Sequence, residues 1–213
     1  MNLEYVSPDE IEARSFEIIE SEIKNKLCGK DIPADVKPVV MRVIHTTADF
    51  DYLDNLKFSE NVINIACETL KNGAVIVTDT NMAMAGINKS ALKKLNCEAV
   101  CFMSDEDVAE AARSKNITRA AASVDKAIYI EKPIIYAVGN APTALVRICE
   151  HIERDGFSPA LVIGVPVGFV NVVQSKELLI SSGVPYIVSK GRKGGSNVAA
   201  AICNALMYMI SEP

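Results

Sequence analysis

Arg42 and His45 stand three residues apart in the stretch RVIHTTADFDY, and His45 is one of only two histidines in 213 residues. On helical spacing Arg42 lies three before His45 and Asp49 four after it, so the three can share one face. Histidine has an unperturbed pKa of about 6.5 and can give or take a proton near neutrality. Arginine grips a carboxylate with two hydrogen bonds, and an aspartate facing the imidazole would favour its protonated form. Spacing alone still favours a structural histidine over a catalytic one. His151, in CEHIERDG, reads as a surface helix residue without such company.

Three further stretches carry possible chemistry. Gly191-Arg192-Lys193-Gly194-Gly195-Ser196 combines two cations, permissive glycines and a serine cap before an apolar helix. It fits a carboxylate or phosphate cradle, and equally a solvated basic loop. Gly139-Asn140-Ala141-Pro142-Thr143 follows a strand and opens a helix, so its free N–H groups could hold an anion; the alternative is a strand-to-helix turn capped by asparagine. Gly164-Val-Pro-Val-Gly-Phe169 would let a flat, partly apolar ligand approach the backbone, or would be a strained turn supporting the crevice. Neither the phosphate-loop order nor the dinucleotide fingerprint is present, which weakens any nucleotide reading.

These residues need elements to position them. The first third reads as three helices: one starting at the Ser7 cap and Pro8 and running to about residue 26, one from Ala34 to Thr47, and one from Ser59 to Asn72-Gly73. Short β-branched runs then alternate with helices. The runs are 74–78, 98–103, 134–138, 160–164 and 185–189; the helices are 88–95, 105–126, 142–155, 173–182 and 196–210. This alternation predicts an α/β fold, with a mainly parallel sheet of about five strands covered on both faces and a helical N-terminal segment. The whole of 1–213 reads as one domain, and the crevice for a ligand is expected beyond the carboxyl ends of the strands.

Composition narrows the partners. Apolar residues make up 49% and charged residues 23%, with a net charge of −5. An acidic chain argues against a nucleic-acid groove or an anionic membrane as the main partner. The N-terminus carries acids where a secretory signal would be basic, and no run reaches the roughly 18 to 20 apolar residues of a membrane span. The six cysteines, Cys28, Cys67, Cys97, Cys101, Cys149 and Cys203, are scattered without metal-ligand spacing and read as reduced core thiols of a cytoplasmic protein. Cys97 and Cys101 are four apart on an expected strand, which would not bring them together.

Taken in order, IEARSFEII (11–19), RVIH (42–45), GNAPTAL (139–145), GVPVGFV (164–170), Glu177 after Ser175-Lys176, and GRKGGS (191–196) closely resemble the precorrin-8X methylmutase family, also called cobalt-precorrin-8 methylmutase, over almost the whole chain. The resemblance implies a homodimeric three-layer α/β/α isomerase of cobalamin biosynthesis. It would move a methyl group from C11 to C12 of a corrin precursor to give hydrogenobyrinate or cobyrinate. No cofactor or resident metal is implied; any cobalt belongs to the substrate. By the motif match His45 is the acid that protonates the macrocycle, and Ser15 and Arg42 are substrate contacts. Arg119 falls where the family often keeps an arginine near the site. Asn88 stands where some relatives have threonine, and Thr46-Thr47 differs from the variants that follow the histidine elsewhere. Arg192 and Lys193 would add grips for the acetate and propionate arms. Two other readings compete: an S-adenosylmethionine-dependent methyltransferase, against which stands the missing glycine-rich loop after the first strand, and a non-catalytic corrinoid carrier.

Overall fold

The computed structural model describes residues 3–27 and 31–211; Cys28 and the polar connection at 28–30 lie outside the described residues. The element order is α1 (Ile11–Leu27), α2 (Lys37–Thr47), α3 (Tyr52–Asn55), β1 (Leu56–Phe58), α4 (Val62–Lys71), β2 (Val75–Thr78), α5 (Asn81–Gly86), α6 (Lys89–Lys94) and β3 (Glu98–Val100). There follow α7 (Glu106–Lys115), α8 (Arg119–Ala127), β4 (Ile134–Val138), α9 (Pro142–Asp155), β5 (Leu161–Gly164), α10 (Val172–Ile180), β6 (Tyr186–Ser189) and α11 (Ser196–Ser211). The sheet has six strands in the order β1-β6-β5-β4-β2-β3, all parallel except β1, which pairs antiparallel with β6. The five expected strands are all present. The sixth, Leu56-Lys57-Phe58, is too short for its pattern to stand out.

Period-two alternation in the central strands divides the core into two layers. Ile76, Ile135, Ile163 and Ile187 pack with Val43 and Ile44 of α2, Ala66 of α4 and Ile202 of α11. Their sequence neighbours Val77, Tyr136, Val162 and Val188 pack with Val124 of α8, Leu145 and Ile148 of α9 and Leu179 of α10. Helices therefore cover both faces of the sheet. The expected helix over 105–126 is two helices, because Asn116 adopts a left-handed conformation (φ 53°) and Thr118 caps α8 by accepting from the Ala121 amide at 3.2 Å. The expected strand over 98–103 ends at Val100 and passes into a short 3₁₀ turn, Phe102–Ser104.

One buried acid joins the strand ends. Asp79, which follows β2, is 5% exposed. Its carboxylate accepts hydrogen bonds from the amides of Gly139 (2.9 Å), Asn140 (2.7 Å) and Ala141 (2.6 Å). Ala141, the residue before α9, has no side-chain cap of its own, and Asp79 instead fixes from the neighbouring strand the turn that leads into this helix. Gly139 in turn lies against the loop after β6: a Cβ on it would fall 2.7 Å from the Gly195 carbonyl oxygen. The approach at Gly194 is closer still, 2.0 Å from the Val165 carbonyl oxygen. No larger residue fits either place without moving a backbone.

The same loop is held from below by Lys176 of α10. This side chain is 1% exposed, and its Nζ donates to the carbonyls of Gly191 and Lys193, each at 2.9 Å. Burial pushes the lysine down to about 8. Across the sheet, Thr80 and Ser196 share a hydrogen bond of 2.8 Å.

Replacing Asp79 with alanine strands three inward amides and is expected to cost about 3 kcal/mol or more of stability in urea unfolding, with asparagine losing less because it keeps one acceptor. Lys176 supplies a pH test. Its folded value lies below the unfolded value near 10.5, so between pH 8 and 10 the unfolded chain binds more protons and the lysine's contribution to stability rises with pH. The wild type is therefore expected to gain stability relative to Lys176→Met as the pH of the denaturant titration is raised from 8 to 10.

Candidate functional site

Helix α2 buries Val39, Val40, Val43 and Ile44 against the core and packs closely on α11. That leaves Arg42 half-buried and His45 exposed on the side facing α1. Phe16 of α1 stacks on His45 with ring centroids 5.1 Å apart and an angle of 25°. The Arg42 guanidinium lies 4.8 Å from the Phe16 ring centre and 5.0 Å from that of Tyr208 on α11. Its Nη1 donates to Glu12 of α1. A cavity of about 490 Å³ opens beside it, lined by Phe16, Lys37, Met41, Arg42, Ala205 and Tyr208. The arrangement joins an imidazole, a guanidinium and aromatic faces at one open surface.

Ser15 follows this cluster on α1, but its Oγ donates to the Ile11 carbonyl at 2.8 Å, within its own helix. Asn88 reaches the cluster through Tyr208: its Nδ2 donates to the phenol oxygen at 2.9 Å, while its Oδ1 caps α6 by accepting from the Ser90 and Ala91 amides. The side chain is thus a cap and a brace for Tyr208.

The expected face shared by Arg42, His45 and Asp49 does not extend to Asp49. Helix α2 ends at Thr47, and Ala48 turns left-handed (φ 53°), so helical spacing no longer applies one residue later. Asp49 accepts from Lys193 Nζ at 2.6 Å, and this bond is the main cause that holds its carboxyl below the usual range. Lys193 also donates to Asp51 at 2.6 Å, and the two acids push its pKa up. Lys193 therefore ties the loop after β6 to the turn after α2. The neighbouring Arg192 is exposed, its guanidinium 5.4 Å over the ring of Phe169.

Arg119 is exposed in the first turn of α8, next to the Thr118 cap, whose hydroxyl meets that of Thr143 at 2.9 Å. A second cavity, about 580 Å³, is lined there by Asn116, Thr118, Pro142, Thr143, Arg147 and Asn171. Helices α8 and α2 cover opposite faces of the sheet. Both nonetheless point a terminus toward the carboxyl ends of the strands, because Thr143 follows β4 and Lys193, bound to Asp49, follows β6. Arg42 and His45 are brought together; Arg119 stands across the sheet from them, with Arg192 and Lys193 on the loop after β6.

Two expectations are corrected. The amides of Gly139-Asn140-Ala141 are not open to an external anion, because Asp79 already accepts from all three; Asn140 provides no cap. His151 is not an isolated surface residue. It is 8% exposed, with Nε2 2.9 Å from Asp125 and Nδ1 2.5 Å from Asp155. Burial alone would raise the Asp125 carboxyl, but hydrogen bonds from Arg147, His151 and Lys115 outweigh it and hold it at about 2. The residue types at 125, 147 and 155 were visible; their meeting depends on α8 packing on α9, which local spacing does not reveal.

Sequence reasoning assigned no role to Glu12, Phe16, Lys176 and Tyr208, and singled out the segment after β2 that begins at Asp79 without finding the role of the acid. Phe16 lies inside the stretch IEARSFEII, and the only signal for Tyr208 is an aromatic near the end of an otherwise aliphatic helix. Cys67, Cys97, Cys101, Cys149 and Cys203 are free thiols; Cys97 donates to the Leu70 carbonyl at 3.2 Å, away from Cys101. Among the described residues no group of three or more His, Cys, Asp or Glu side chains is placed to hold a metal ion, and no helix is long and apolar enough to cross a membrane.

With this geometry in place, comparison with known proteins is consistent across the chain. A family model described as precorrin-8X methylmutase matches residues 10–209. The chain is 46% identical over 207 residues to the cobalt-precorrin-8 methylmutase of Salmonella typhimurium, covering 96% of this chain and 97% of that one. It is 42% identical over 210 residues to the cobalt-precorrin-8 methylmutase of Leptospira interrogans, covering 95% and 94%. The crystal structure of precorrin-8X methyl mutase from Thermus thermophilus superposes with a TM-score of 0.84 at 37% identity, covering 95% of this chain and 98% of that one. The chain belongs to the precorrin-8X methylmutase family, a family of isomerases.

Proposed function

We propose that the protein moves a methyl group from C11 to C12 of cobalt-precorrin-8 to give cobyrinate, in the biosynthesis of cobalamin, with His45 as the acid. The observation that carries this reading is the exposed imidazole stacked on Phe16, one helical turn from the Arg42 guanidinium. The names of the Salmonella and Leptospira relatives support the cobalt-containing ring as substrate.

In the proposed step His45 donates a proton to the conjugated macrocycle. The protonated ring draws electron density from the migrating bond, the C11–methyl bond breaks as the C12–methyl bond forms, and the proton returns to the imidazole. Atoms balance without an external methyl donor. A positioned acid typically contributes about 10² to 10⁴-fold, so the rest must come from holding the ring. Arg42 is suited to one carboxylate arm, Ser15 on α1 and Asn88, through Tyr208, belonging to the same surroundings; Arg192, Lys193 and Arg119 offer cations around the mouth of the crevice. The exposed rings and methyls of Phe169, Val167 and Val170 suit a flat apolar ligand or a second copy of the chain. A homodimer is part of the proposal, as is a cytoplasmic location, for which the free thiols give support.

His45→Ala is expected to lower kcat on cobalt-precorrin-8 by at least about 10²-fold with unchanged far-ultraviolet dichroism, since the ring is exposed and its loss leaves no core cavity. Full activity in that variant would remove His45 as the acid. The wild-type assay is run without S-adenosylmethionine; a strict requirement for it would favour a methyltransferase, and tight corrinoid binding without turnover a carrier. Light scattering in solution is expected to give the mass of two chains, and a monomer at assay concentration would discard the homodimer.

A further inference from the structure

Arg42 of α2 already has an anion, Glu12. Its guanidinium lies between the rings of Phe16 and Tyr208. Tyr208 is itself braced by Asn88, at 2.9 Å. The Glu12 carboxylate that accepts from Arg42 is held far less firmly: its side chain is 58% exposed, against 21% for Arg42, and Arg42 is its one hydrogen-bonding partner among the described residues. Glu12 sits in the first turn of α1, which rests chiefly on α2. A rotation of this one side chain would free the guanidinium without disturbing the two rings that orient it.

We propose that Glu12 is a specificity-determining residue, a built-in carboxylate that occupies Arg42 until a carboxylate arm of the ligand replaces it. The inference rests on the reading of Arg42 as a grip for such an arm. Exchange of one carboxylate for another conserves the charge-assisted hydrogen bond, so an acidic arm displaces Glu12 at small cost. An amidated or esterified arm offers the guanidinium no charge in return and is disfavoured. Discrimination of this kind comes from the competing interaction as much as from the productive one.

The test compares wild type, Glu12→Gln, Glu12→Asp and the double variant Glu12→Gln/Arg42→Ala against Arg42→Ala alone. Two readouts are used: KM for cobalt-precorrin-8, and the dissociation constant of coproporphyrin, a flat tetrapyrrole with four propionates, from the shift of its main absorbance band. Removing an exposed ionic competitor is expected to strengthen both by about two- to five-fold in Glu12→Gln. Glu12→Asp should stay near wild type, and the gain should vanish when Arg42 is already alanine. Unchanged or weakened binding in Glu12→Gln overturns the proposal, weakening being the sign of an acid that merely orients the arginine. A wild type that fails to turn over cobalt-precorrin-8, while Glu12→Gln still gains for coproporphyrin, discards the isomerase reading and leaves the exchange at Arg42 standing.

Discussion

A carboxylate removed from water must be paid for by partners, and Asp79 has three backbone amides aimed at it. Those amides belong to the turn between β4 and α9, so one buried charge fixes where a strand from the middle of the sheet stops and where its helix begins. Gly139, held there, gives the loop after β6 a flat surface to lie on. Lys176 holds that loop from the opposite side through two carbonyls. The basic loop is therefore placed by contacts to its backbone and by the Lys193 side chain on Asp49 and Asp51, which leaves Arg192 exposed.

The charge distribution around the candidate site follows from the same economy of partners. A chain of net charge −5 gathers cations at the crevice, yet two of them carry acids of their own: Glu12 on Arg42, and Asp49 with Asp51 on Lys193. Such pairs lie in largely solvated surroundings and bind weakly compared with buried ones. They suppress non-specific attraction of anions while leaving each cation in position. Arg42 differs from Lys193 in having two aromatic faces that hold its plane when its acid is elsewhere.

Much of this was readable from residue order. Strand runs such as Ile134–Val138 act over a few neighbours, and the helix that carries Arg42 and His45 announces itself by its apolar period. What stayed hidden depends on distant partners. Asp79 looks like any polar residue after a strand until β4 is laid beside β2. Lys176 looks like a surface lysine until α10 covers the loop after β6. His151 was misjudged because its charged neighbours in sequence suggested solvent, whereas Asp125, more than twenty residues away, meets it across two packed helices. Asp49 failed for a local reason: the helix ends at Thr47, two residues before it.

The short antiparallel strand β1 has a bearing on how the chain is made. Leu56 pairs with Ser189 and Phe58 with Ile187, and α2 lies against α11, the last helix. The segment bearing Arg42 and His45 thus precedes in sequence its main packing partner, α11, by about 150 residues (Thr47 to Ser196), and meets α1 and α3 nearby. Contacts of such long sequence separation are formed late and slowly. The face of α2 that buries Val39, Val40, Val43 and Ile44 is therefore covered only when α11, far along the chain, has folded over it, and Tyr208 of that helix then completes the surroundings of Arg42.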